Sequence, residues 1–97
     1  MKLANRSTLY VYAGVFSGSL PLTGAENRIK VTNQSGNLPP NGESFDAPAG
    51  IYWVMYNISS APGAGQPPVG TLVGQTGGVR ETDTVVLTED FRIVVQA

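Results

Sequence analysis

Few residues in this chain can do chemistry. Six of its seven acidic side chains fall into three close pairs, Glu43/Asp46, Glu81/Asp83 and Glu89/Asp90. Glu81 and Asp83 would share one face of a strand, because alternate residues point the same way. A hard cation such as Ca²⁺ takes carboxylates of this kind together with loop carbonyls. The weightier role for such pairs is to hold an edge strand or turn in water, so no metal ligand is assigned. Nucleophilic catalysis needs a base beside a Ser, Thr or Cys. There is no histidine and no cysteine, and the only lysines are Lys2 and Lys30. No catalytic residue and no cofactor is assigned, and an enzyme is not expected.

Two binding motifs fail on similar grounds. Gly63-Ala64-Gly65 could begin a phosphate cradle, but Gln66-Pro67-Pro68 follows it, and proline withdraws the amides such a loop uses. Arg28 and Lys30 lie next to aromatic strands, as in grooves for single-stranded nucleic acid. Six basic residues scattered among seven acidic ones, for a net charge of −1, make a poor electrostatic groove. Neither nucleic acid nor an anionic membrane surface is an expected partner. Asn5, Asn33 and Asn57 each open an Asn-x-Ser triplet, which chance accounts for in a chain so rich in Asn and Ser.

What remains is recognition by apolar and aromatic surface, and Gly50 to Ile58 is its richest source. This stretch holds the only tryptophan and two of the four tyrosines. β-Branched and aromatic residues behind a Pro-Ala-Gly turn predict a strand. One face carries Ile51, Trp53 and Met55, the other Tyr52, Val54, Tyr56 and Ile58. Ser7 to Phe16 is likewise apolar on both sides, with Leu9, Val11, Ala13 and Val15 against Tyr10, Tyr12, Gly14 and Phe16. A single sandwich has one internal layer, so one face of each strand needs another cover. We assign Trp53, with Phe91 and Ile93, to the core. Tyr10, Tyr12, Phe16, Tyr52 and Tyr56 are the expected interface, an apolar patch of roughly several hundred Å². Two plainer readings are a loop or N-terminal segment lying over that face, and tyrosines half-exposed with wet hydroxyls. Aromatic rings beside Asn and Gln could also stack on sugars, so a carbohydrate- or receptor-binding module is the alternative.

The remaining elements must position these strands. Ninety-seven residues make one domain with a modest core. Arg28 to Thr32 predicts a short strand with Ile29 and Val31 inward and Arg28, Lys30 and Thr32 outward. A short edge segment is expected near Ser44 to Asp46, and another strand at Val69 to Val73. Gln75 to Arg80 reads as a glycine-rich turn. Thr82 to Thr88 and Phe91 to Gln96 form a hairpin joined at Glu89-Asp90, with Val85, Leu87, Phe91, Ile93 and Val95 on its apolar faces. Met1 to Ser7 reads as a possible N-terminal arm. That arm and the loops Asn33 to Pro48 and Ser59 to Pro68 are the expected reach toward neighbours. No window has helical periodicity, and none approaches the ~18 apolar residues of a membrane-spanning helix. The expected fold is all-β: a single antiparallel β-sandwich or small barrel of about six or seven short strands, with no substantial helix.

The charged fraction is 13 %, about half the ~25 % of an average soluble domain, and 12 Gly and 7 Pro enrich the loops. Such a surface repels its own copies weakly. In composition and pattern the chain resembles the small structural proteins of tailed bacteriophage particles, capsid decoration (cement) proteins and tail-fibre β-domains. Its Ala47-Pro48-Ala49-Gly50-Ile51-Tyr52 entry into a strand is similar to openings in Ig-like and fibre domains. The resemblance implies a non-enzymatic virion component, commonly a homotrimer, that clamps subunits of a larger protein shell or tail assembly. No motif in it carries over a functional residue.

Overall fold

In the computed structural model the described residues, 1–18, 27–33, 37–60 and 68–97, form eight strands and no helix. These are β1 (Lys2–Asn5), β2 (Tyr10–Ser17), β3 (Arg28–Val31), β4 (Glu43–Ser44), β5 (Ile51–Ser60), β6 (Leu72–Arg80), β7 (Thr84–Leu87) and β8 (Ile93–Gln96). They build two four-stranded sheets, ordered β4-β1-β7-β8 and β3-β2-β5-β6. The sheets face each other as a sandwich, and Leu3, Val85 and Leu87 of the first meet Val11, Val15, Val54, Tyr56 and Ile58 of the second. The fold is all-β, as expected, and a sandwich rather than a closed barrel. One ladder departs from the antiparallel pattern: β1 runs parallel to β7, with Lys2 opposite Thr84 and Asn5 opposite Leu87.

Met1 to Ser7 is not an arm. Leu3, Ala4 and Asn5 are buried, and β1 is an inner strand of its sheet. Asn5 is tolerated there because its polar atoms are satisfied locally. Its amide donates to the Leu9 carbonyl at 2.9 Å, and its oxygen accepts from Ser7 N–H at 2.9 Å and Ser7 Oγ at 2.6 Å. Nor is Gln75 to Arg80 a turn, since it is the body of β6. Gly74 lies where a Cβ would come within 2.8 Å of Ile93 Cγ1 in the facing sheet, and Gly78 takes φ 70 at an irregular stretch of the ladder. Glycine here serves close packing and a bulge, not reversal.

A bulge turns part of β3 from its expected facing: Lys30, paired with core residue Val15, turns inward, while Arg28, paired with Phe16, faces outward as expected. Ile29 is exposed, whereas Thr32, just past the strand, is buried with its hydroxyl accepting from Ala13 N–H at 2.7 Å. Lys30 leans across the sandwich to β4, 2.6 Å from Glu43, and sits over the Phe45 ring. The β7–β8 hairpin turns at Glu89-Asp90 as its sequence predicts, with Val85 and Leu87 fully buried. Phe91, expected in the core, instead stands exposed at the hairpin tip with φ 63; Ile93 is half-buried against the core.

Candidate functional site

Pairing between β2 and β5 fixes which aromatic residues share a face. Tyr12 lies opposite Asn57, Gly14 opposite Met55, and Phe16 opposite Trp53. These positions and Tyr10 turn away from the core, since Val11, Ala13, Val15, Tyr52, Val54, Tyr56 and Ile58 fill it. β6 extends the outer face: Asn57 pairs with Leu72, Met55 with Gln75, and Ile51 with Arg80. The result is a surface with Tyr10, Ile51 and Leu72 exposed at 38–42 % and Tyr12, Trp53 and Met55 half-buried between them. Its charges lie at the margins, Arg80 on β6 and Arg28 on β3.

The expected interface therefore splits. Tyr10 and Tyr12 do lie on an outer face. Phe16 shares it but is only 7 % exposed, because its ring folds over Gly14 and Arg28 caps it at 5.5 Å. Tyr52 and Tyr56 are core residues, not anchors. Trp53, assigned to the core, stands outside. A strand apolar on both faces gives no internal sign of which turns inward. The choice is made by what the phenols can reach. Tyr52 donates to the Pro48 carbonyl. Tyr56, fully buried, donates to the Val85 carbonyl at 2.7 Å, accepts from Ala4 N–H at 3.2 Å, and lies 3.2 Å from the Ala4 carbonyl.

That last contact joins the two sheets. Lys2 N–H donates to Asp83 O and Arg6 N–H to Leu87 O. The rung between them in this parallel ladder runs from Ala4 N–H to Val85 O, and the Tyr56 hydroxyl bonds to both of its ends. Burial drives the Tyr56 phenol far above its ordinary range, with its hydrogen bond to Ala4 pulling weakly the other way. An indole facing outward gains no such partner. Trp53 Nε1 is buried yet has no hydrogen-bond acceptor among the described residues.

Concave chemistry lies elsewhere and is sparse. A cleft of about 350 Å³ opens beside β1, lined by Met1, Lys2, Ser44, Phe45, Asp46 and Thr82 to Thr84. The Asp83 carboxylate there already caps the turn after β6, accepting from Arg80 N–H at 2.9 Å. Asp90 is held below the usual carboxylate range chiefly by the Thr88 hydroxyl and closes the hairpin turn. The Asn33 to Pro48 loop packs inward through Leu38 rather than projecting it, while most of Ser59 to Pro68, and residues 34–36 of the first loop, lie outside the described residues. Comparison of the chain with family models, curated proteins and solved structures finds no match.

Proposed function

We propose that the protein is a non-enzymatic structural component that works by binding. It self-associates, as a trimer, and docks on a larger protein lattice such as a virion shell or tail. The observation that carries this reading is the outer face of β2, β5 and β6, where Tyr10, Tyr12, Ile51, Trp53, Met55 and Leu72 form one apolar surface with cations at its rim. Aromatic residues and Met are enriched at interface centres while charges are depleted there, and a rim of Arg is ordinary. Many weak copies on a lattice bind strongly together.

The test is the mass in solution with Tyr10→Ser and Leu72→Ser combined, both side chains being exposed enough to change without opening the core. Wild type should run as three times 10.2 kDa and the double variant as a monomer of unchanged thermal stability. A wild-type chain that stays monomeric as concentration rises, or a double variant that keeps the trimer, would sink this assignment.

A second reading, a carbohydrate-binding module, is favoured by one feature. Trp53 faces outward opposite Phe16, on the face that also carries Tyr12, and such an outward aromatic pair could stack on a sugar ring. Tryptophan emission that shifts with added glycans would support it; emission indifferent to them would remove it.

A further inference from the structure

Each sheet ends in two edge strands, and an edge presents unpaired N–H and C=O groups to any strand that can reach them. Three of the four edges carry features that discourage this. β3 bears Arg28 and Lys30, β4 is two residues long, and the β5–β6 ladder is broken twice by register shifts along a glycine-rich strand. β8 has none of these features. Ile93 to Gln96 holds no charge, proline or glycine, pairs with β7 without a shift, and leaves Val94 41 % and Val95 39 % exposed.

Which backbone groups point outward follows from the hairpin. Thr88 N–H donates to the Arg92 carbonyl, so 88 and 92 form a hydrogen-bonded pair. Such pairs recur at every second residue. Val86 with Val94 and Thr84 with Gln96 are therefore the next, and the N–H and C=O of Ile93 and Val95 face away from β7.

We infer that β8 is a strand-pairing edge, and that it takes β8 of a second copy, antiparallel, about a two-fold axis through Val94. This proposal concerns a different surface from the outer aromatic face and does not rest on it. The outward groups of Ile93 and Val95 are complementary to an extended backbone. In the register that uses them fully, Ile93 lies opposite Val95 of the second copy, which forms four backbone hydrogen bonds by symmetry. The same register sets Val94 against its own counterpart and Arg92 against Gln96. Apolar meets apolar, and no like charges oppose. The two-fold contact is also closed, so it consumes the edge instead of propagating a fibre. Two strands of this length bury far less than the roughly 800 Å² per partner of a standard interface, so the dimer is weak and strongly concentration-dependent.

The test is sedimentation velocity from micromolar to millimolar protein, combined with amide exchange. Wild type should move toward even multiples of 10.2 kDa as concentration rises, and the amides of Ile93 and Val95 should gain protection in step. Val95→Pro removes an N–H that β7 does not use and should abolish the pairing while leaving the fold intact. Val94→Lys should abolish it by self-repulsion, and an equal mixture of Val94→Lys and Val94→Glu should restore it. That rescue does not depend on how well the proline variant folds. Fast exchange at Ile93 and Val95 at every concentration would overturn the proposal, as would a mixture that stays unpaired. Association that survives both Val94 variants but is lost with Tyr10→Ser and Leu72→Ser would refute the edge contact and leave the aromatic face standing.

Discussion

Removing one oxygen from Tyr56 should show how firmly the two sheets are joined. In Tyr56→Phe the ring keeps its place among Val11, Val54, Ile58 and Leu87, so the apolar packing is retained. What is lost is a buried hydroxyl that donates to Val85 O at 2.7 Å and accepts from Ala4 N–H at 3.2 Å. Each hydrogen bond of this kind contributes about 1 kcal/mol net. Ala4 N–H and Val85 O keep each other as partners in the β1–β7 ladder, so the loss of the two hydroxyl bonds brings the expected cost to about 2 kcal/mol. A chain of this size has a total stability of about 5–10 kcal/mol, so the change is a large fraction of it. With a urea m-value near ~2 kcal/mol/M the unfolding midpoint should fall by about 1 M, with the slope unchanged. A second readout is alkaline. The folded-state pKa of Tyr56 is raised above its ordinary 10.0, so its contribution is fully present below pH 10 and is lost as pH rises beyond it. Wild type should therefore lose stability above pH 10 more steeply than Tyr56→Phe. A midpoint shift under ~0.2 M, or parallel alkaline profiles, would refute the hydroxyl's role as a link between the sheets.

Three further perturbations follow from specific contacts. Gly74→Ala places a methyl within 2.8 Å of Ile93 Cγ1 and should cost about 1–3 kcal/mol; in a double-mutant cycle with Ile93→Ala the two losses should be less than additive. Trp53→Phe removes a buried indole N–H that has no acceptor among the described residues, so thermal unfolding should move by less than the equivalent of ~1 kcal/mol in either direction. Glu43→Gln breaks the Lys30 contact between the edge strands β3 and β4, but both side chains are about a third exposed, so urea unfolding at moderate salt should show a loss below ~1 kcal/mol that shrinks further as salt is raised.

The class of the fold could be read from the chain because alternation and punctuation are local. Thr84, Val85, Val86 and Leu87 form a short β-branched and apolar run, and Glu89-Asp90 separates it from a second apolar arm, so β7 and β8 were legible from the sequence. The facing of β5 was not. Tyr52 and Tyr56 match Trp53 and Met55 in apolar character, and for Tyr56 the difference lies in hydrogen-bond partners supplied by Ala4, 52 residues away, and Val85, 29 residues away. β1 was hidden for a related reason. Asn5 and Ser7 look solvated, yet they satisfy each other and the Leu9 carbonyl inside a tight local turn. β6 was hidden because glycine signals reversal in a sequence, whereas Gly74 is small to admit Ile93 from the other sheet. For the candidate site, Tyr10 and Tyr12 were legible from alternation in β2. Trp53 was not, because tryptophan in mid-strand is more often interior.

The parallel seam between β1 and β7 also governs the order of assembly. The β7–β8 hairpin closes over a few residues, and β2 with β5 can zip independently of either terminal segment. β1 must instead find β7 about 80 positions along the chain, and among the described residues β4 has no strand neighbour except β1. Closing so long a loop carries an entropic cost before any contact forms, which slows folding. β1 and the β4 edge should therefore dock late, on a scaffold formed by the other sheet and the hairpin. Until β1 arrives, the inner edge of β7 is as open as the outer edge of β8, which makes the partly folded chain more prone to misassociate than the finished one.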